Sequence, residues 1–423
     1  VSVTQVPALE EDVERHERPP VRFGAFAFRD FRLLWFGLLV SNAGSWMQML
    51  AQGWLVVQLA NGPAEGSFYL GLVGLVRAAP VLALSGLAGA LADRLNQKRI
   101  LAVTQTVMGL SALILGFLVD FHVVRIWHVL IMAAISAGAN AFDAPTRQAM
   151  LPQLVGKREL VSAIGLNSAA FNGPALVGPA IGGLVVAAVG IAPCFYINAA
   201  SYAAVLVALA LMRARPPAAE KRATGLWRDA ADGFAYVAAN PVILAIFSLL
   251  SLVGLIARPY LQLLPAFVKG VLEGGPQSLG IVMAAAGGGA LAGSLITALM
   301  GNARRRGTIM LCAAVVAGIA LVWLSSTRAV APATIALIVL GASIMLFMGM
   351  SNTLVQMNTP LAMRGRVMSI YTMTVLGFMP LGSGLLGWTA SLTSLPLTFA
   401  VAGAIVVVAA ALAAGASGIR SME

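Results

Sequence analysis

"GALADRLNQKR", residues 89–99, sets one carboxylate and three cations between two long apolar runs. Charge at this density is costly in hydrocarbon and free in water, so the stretch marks a place where the chain leaves a membrane and turns back. Composition agrees. Of 423 residues, 59% are hydrophobic and 10% charged, and the mean hydropathy is +0.89, whereas charged residues make up about a quarter of a soluble globular chain. About 20 apolar residues cross the hydrocarbon core as a helix. The alternation of a lipid-facing barrel is absent, which leaves helices to satisfy the backbone within lipid. The expected fold class is an all-α membrane protein.

Apolar runs between charged or Gly/Pro punctuation predict twelve transmembrane helices, over 31–59, 68–92, 99–119, 126–146, 160–189, 193–212, 240–267, 276–300, 308–326, 332–353, 367–390 and 394–416. Residues 1–28 mix Glu, Arg and Pro without an early apolar core, unlike a secretory signal, and read as a tail. Cations set orientation, because short cytoplasmic loops collect Lys and Arg. They cluster in the tail, after span two (Arg94, Lys98, Arg99), after span four (Arg147, Lys157, Arg158), between spans six and seven, at Arg304–Arg306, at Arg364 and Arg366, and at Arg420. The opposite loops hold only Arg125, Lys269 and Arg328. Both termini are therefore expected in the cytoplasm, with the chain in the inner (plasma) membrane. The formal charge of +11 follows mostly from this topology; it suits contact with anionic lipid, not nucleic acid.

The chain looks duplicated. Arg158, Pro174 and Gly178 reappear with the same spacing as Arg364, Pro380 and Gly384, at the starts of spans five and eleven. This predicts two six-helix pseudo-symmetric halves, 29–212 and 240–417, joined by a polar cytoplasmic linker at 213–239 and ending in a cytoplasmic segment at 418–423. Two parallel halves of this kind are an architecture of secondary transporters.

At these residues a resemblance appears. "GALADRLNQKR" resembles the loop signature between spans two and three of the major facilitator superfamily, through Gly89, Leu91, Asp93, Arg94, Lys98 and Arg99. "GPALVGPAIGG" in span five resembles the antiporter motif of the drug:proton branch, through Gly178, Pro179, Gly182 and Gly183; Pro174 stands where that motif has a glycine. The stretch from Asn140 to Gly183 is similar to the subfamily of enterobactin and macrolide exporters. The resemblance implies the major facilitator fold and efflux of drugs or siderophores by alternating access. It covers nearly all of 29–417 and leaves the substrate open.

On this reading the charged loop is a gate latch. Asp93 would face the positive N-terminal end of span eleven beside Arg364 and Arg366, an interaction worth about 0.3–1 kcal/mol. Asp143 and Arg147, four apart on span four, would join Arg94. The plain alternative is an ordinary positive-inside loop. Gly178 and Gly182, also four apart, make a smooth stripe for close helix packing.

The substrate cavity is expected where polar side chains hide from lipid. Asn42, Ser45, Gln48 and Gln52 fall along one face of span one. Arg77 in span two and Arg258 in span seven, with Gln262 a turn further on, each cost about 2.5–3.5 kcal/mol at the bilayer centre, so each should face a partner, water or substrate, or else snorkel to the interface. Asn167 and Tyr371 are candidates for the same cavity, or else packing or helix–helix contacts. If the two arginines converge, the ligand is an anionic or catechol-like, largely apolar molecule. Proton coupling would need a titratable carboxylate, and the nearest are Asp143 and Asp93.

Other classes find little support. No G-x-x-x-x-G-K-[ST] occurs, which excludes an ATP-driven pump within this chain, and "GGGALAG" at 287–293 reads as helix packing. His16, His122 and His128 lie outside the spans' interiors and form no catalytic or metal motif; Cys194 and Cys312 read as packing residues. The expectation is a transporter and not an enzyme, without cofactor or metal, working as a monomer on a small-molecule substrate among membrane lipids, with protons as the possible coupling ion. Alternatives are a lipid or lysophospholipid flippase on the same fold, or a small-molecule uptake permease.

Overall fold

The computed structural model describes residues 24–94, 96–156, 158–213, 226–300, 303–416 and 418, with backbone alone at 85–94, 226–230 and 416. Every regular element is helical among the described residues. Among the described residues, eleven helices are long and apolar enough to cross a membrane. The first, Arg29–Leu59, has 31 residues but is diluted by the polar Asn42, Ser45, Gln48 and Gln52. Spans two to four are Pro63–Arg94, Gln97–Asp120 and Ile126–Leu154, and span six is Ala192–Leu211. Spans eight to twelve are Pro276–Leu299, Arg306–Ser326, Val330–Met357, Leu361–Leu392 and Leu395–Ala416. The described residues form twelve membrane spans in two six-span halves.

The described chain starts and stops at one end of the bundle, the near end. Turns at 60–62, 121–125, 190–191, 271–275, 327–329 and 393–394 form the far end. The polar connection contains a helix, Leu226–Ala239. Its buried Gly233 and Val237 face inward, with the Gly233 position against Ile370 and Arg366 of span eleven.

Two spans are broken, each at a proline. Span five divides into Leu160–Asn172 and Pro174–Val189. Pro174 has no N–H, so the carbonyl of Ala170 loses its helical donor. Asn42 of span one supplies one, its Nδ2 donating to Ala170 O at 2.9 Å. Span seven runs as Pro241–Leu252, a π-turn at Val253–Ala257, and Tyr260–Gly270. There the N–H of Arg258 reaches back five residues to Val253 O at 3.0 Å. Pro259 leaves Leu255 O without a donor, and that carbonyl lies directly against Gly382 of span eleven.

Glycines set how closely the halves approach. A Cβ at Gly71 would lie 2.8 Å from Gly387 Cα and 2.6 Å from Ser383 O. One at Gly183 would lie 2.9 Å from Gly280 Cα and 2.7 Å from Pro276 O. Spans two and eleven, and spans five and eight, therefore meet backbone to backbone near the far end, through small residues four apart on each helix. Span one meets span seven there too, with Gly53 under Pro265 and the Lys269 ammonium donating to Val57 O at 3.0 Å. The two seams exchange under the internal duplication, which pairs span two with span eight and span five with span eleven.

Candidate functional site

Asp143 lies on span four, 1% exposed. Its Oδ1 accepts from Thr104 Oγ1 at 3.0 Å and Gln105 Nε2 at 2.7 Å, and its Oδ2 pairs with Arg147 at 2.8 Å, one helical turn on. The guanidinium stacks over Phe171 of span five, 4.7 Å from the ring centroid. A buried ion pair repays its desolvation only when its remaining hydrogen-bonding capacity is met. Thr104 and Gln105 meet that of the carboxylate here. The network ties spans three, four and five together inside one half, so these contacts do not bridge the halves as a latch would. Arg94, expected to join it, and Gly89 and Asp93, expected at the gate, lie outside the described residues as far as their side chains are concerned.

The other expected gate cations have different occupations. Lys98 donates to Met212 O at 2.7 Å, capping the C-terminal end of span six, where the helix dipole favours a cation. Arg99 is exposed in the first turn of span three, whose N-cap is Asn96. Arg366 pairs with Asp232 on the connecting helix at 3.2 Å. Arg364 is half-buried, with its Nε unbonded.

The polar face of span one divides between two neighbours. Gln48 Oε1 accepts from Asn198 Nδ2 of span six at 2.5 Å, and Ser45 Oγ lies 3.2 Å from the Tyr202 hydroxyl. Ser201 Oγ donates to Asn198 Oδ1 at 2.9 Å, and both press on Gly44, where a Cβ would come within 2.6 Å of them. Asn42, Ser45 and Gln48 thus make contacts between helices and do not form a wet wall. Gln52 is different. It is 3% exposed and its Oε1 accepts from Arg77 at 2.7 Å, while its Nε2 has no partner.

Gln52 and Arg77 line a cavity of about 10 Å³ together with Gln262 of span seven, Met49, Gly53, Val56, Leu70 and Val73. That is about the room one water needs. Both halves contribute to it. Arg258 does not line this cavity: it donates to Val375 O of span eleven at 2.9 Å, so the two intramembrane arginines do not converge there. Tyr371 donates to Met348 O at 2.9 Å and stands edge-on to Phe247, a contact within the second half. Asn167 is half-buried on the near segment of span five.

The span-five motif has two faces. Gly178 and Gly182 accommodate span one, with Trp46 Cβ 2.6 Å from the first Cβ position and Met47 Cα 3.2 Å from the second. Pro179 and Gly183 face span eight across the halves. Gly289 and Gly293, from the glycine-rich run, admit the carbonyls of Ile338 and Ala342 of span ten, which is helix packing. Thr104, Gln105, Asn198 and Tyr202 were not anticipated. The signal for the last two was present, since Asn198, Ser201 and Tyr202 recur at three and four residues and form a polar stripe on span six.

These features sit in a fold that known proteins share. The family described as transmembrane secretion effector matches residues 21–423. The chain belongs to this family of major facilitator transporters. A multidrug efflux pump, Tap, of Mycolicibacterium fortuitum is 28% identical over 382 residues, 87% of this chain and 90% of that protein. The staphyloferrin A transporter of Staphylococcus aureus is 31% identical over 170 residues, 40% of this chain and 42% of that one. Among solved structures, the nucleoside transporter NupG superposes with a TM-score of 0.69 at 17% identity, covering 92% of this chain and 98% of its own; this likeness concerns fold alone. The secretion-effector chain is thus a twelve-helix transporter of small molecules, and its two halves meet at the Gln52, Arg77 and Gln262 cavity.

Proposed function

We propose that this transporter exports lipophilic or catecholate-like small molecules by alternating access, with the near end in the cytoplasm and the chain acting as a monomer in the inner (plasma) membrane. The observation that carries the reading is the Gln52–Arg77–Gln262 group: a cation and two amides among apolar side chains, shared by both halves, beneath a far end closed by two glycine seams. An intramembrane cation whose described partner is one neutral amide is positioned to receive an anionic or catecholic oxygen. In this state the space between the halves holds about one water; parting of the halves would enlarge it, and its apolar walls then suit the remainder of a lipophilic molecule. The names of the efflux pump and the siderophore transporter among its relatives support the same class. The cation-rich loops at the near end support the orientation.

For coupling, Asp143 is the candidate proton carrier. It is a buried carboxylate on a membrane helix, and protonation would release Arg147 and loosen the packing of spans three to five.

The test is compound accumulation in cells expressing this chain, using catecholate siderophores, macrolides and lipophilic dyes, with and without an uncoupler. Lowered accumulation that is abolished in Arg77→Met and by the uncoupler is the expected result. Asp143→Asn should lose the dependence on the proton gradient; if it retains full proton-driven transport, Asp143 is not the carrier. No effect on any soluble compound from a correctly inserted protein would overturn the exporter reading.

A further inference from the structure

Spans three and four enclose a groove of about 520 Å³ at their near ends, apart from the central cavity. Its walls are Ile100, Val103 and Val107 on span three and Gly138, Ala139 and Phe142 on span four, with Arg99 and Asn96 at its rim. The volume falls within the range of sites that hold small ligands. The groove opens sideways: Val103 is 63% exposed, on a helix that crosses the membrane. In that setting the surrounding solvent is lipid, and the wall chemistry is that of an acyl chain. Arg99, exposed and at the near end of its span, stands where a lipid headgroup would be. A cation near an anionic bilayer surface is worth about 1 kcal/mol.

The floor of the groove connects to the buried ion pair. Thr104 is 5% exposed and lines the groove, and its hydroxyl lies 3.0 Å from both Leu101 O and Asp143 Oδ1. A molecule filling the groove therefore packs against the residue that holds Asp143. We propose that this groove is a site for an anionic phospholipid, one acyl chain lying between spans three and four and the phosphate paired with Arg99, and that its occupancy stabilises the Thr104–Asp143 contact. A neutral lipophilic compound would satisfy the walls but has no use for Arg99, and a zwitterionic lipid offers less net charge to it.

The experiment uses the full-length protein in nanodiscs of phosphatidylcholine with a minor fraction of phosphatidylglycerol. Lipid retained after extraction is measured by native mass spectrometry. The wild type should retain phosphatidylglycerol in excess of its share. Arg99→Gln should lower that preference about fivefold, the factor that corresponds to one basic residue at an anionic surface, while still retaining lipid. Arg99→Lys should restore it. Val103→Trp, which fills an exposed part of the groove without touching the core, should retain less lipid of either kind; Val107→Phe is the companion variant if the first does not insert. An unchanged headgroup preference in Arg99→Gln, or lipid retention that depends on neither Arg99 nor Val103, would each overturn the proposal. Because the readout is lipid and not transport, its failure is separate from failure of the export reading.

Discussion

Asp143 and Arg147 stand to each other as a buried pair, and the physics of such pairs predicts an asymmetry. Removing one member strands the other, at a cost of about 3–5 kcal/mol, whereas removing both with apolar residues of similar size is often close to neutral. Asp143→Leu should therefore lower the thermal midpoint in micelles sharply, and Asp143→Leu with Arg147→Met should recover most of the loss. Equal damage from the single and double variants would contradict the pairing. Asn42 offers a second residue-scale test. Its amide replaces the donor that Pro174 lacks, so Asn42→Leu should cost about 0.6–1.7 kcal/mol, the range measured for hydrogen bonds between membrane helices. In a Pro174→Ala background the N–H of residue 174 can serve Ala170, and the Asn42→Leu cost should vanish. At this scale the sequence disclosed which residues matter more readily than what they touch. A Gln or Arg in an apolar run announces a partner. Which partner depends on the rotation of one helix against another, and Gln48 found Asn198 on span six while Gln52, one turn on, found Arg77 on span two. Asp93 and Arg94 remain expectations of the loop signature.

The helices themselves were legible almost throughout. Hydrophobic runs predicted most spans within a few residues, because lipid imposes one length and one kind of backbone on every crossing; they stopped span four eight residues short, at 146, and started span eleven six residues late, at 367, because helix continues past the apolar run through Arg147 to Leu154 and begins before it at Leu361, ahead of Arg364 and Arg366. The break in span five was readable from Pro174. The π-turn in span seven was less so, since Pro259 marks a missing donor but not the five-residue reach of Arg258 that precedes it. The helix at 226–239 was concealed by its polarity; it lies along span eleven with Asp232 on Arg366, and does not cross the bilayer. The glycine seams belong to this scale and carry a prediction. Valine at Gly71 or Gly183 puts a side chain where backbone now lies within 3 Å. Neither helix can move aside without parting the halves at the far end. Both substitutions should therefore make cysteines introduced at buried far-end positions, by Ser67→Cys and Val186→Cys, more reactive to a membrane-impermeant thiol reagent, by a similar factor, in a Cys194→Ala, Cys312→Ala background. Reactivity raised by one and not by the other would mean that the seams are not equivalent.

For the whole molecule, the duplication seen in the sequence as repeated Arg, Pro and Gly positions becomes a pair of seams related by exchange of halves. Each is built so that small residues permit close contact without interlocking, which suits surfaces that must separate and rejoin. Large side chains interdigitated across the halves would stabilise one state; stripes of glycine, flanked by serine in one seam and by proline in the other, stabilise it less and let it open. Between the seams, the Gln52–Arg77–Gln262 group is shared by both halves, so it changes shape whenever they move. The resemblance in the loop after span two and the glycine motif of span five pointed to this fold. The substrate was not legible, because a guanidinium and two amides specify an oxygen acceptor and say little of the molecule that bears it.

Alternating access at the far end is tested most directly by the distance between spin labels at Val189 on span five and Gln277 on span eight, in full-length protein lacking Cys194 and Cys312. The account predicts a short distance in the unliganded protein and a second, longer population that grows when an exported compound is added or when Gly183 is replaced by valine. A single short distance under all of these conditions would contradict it.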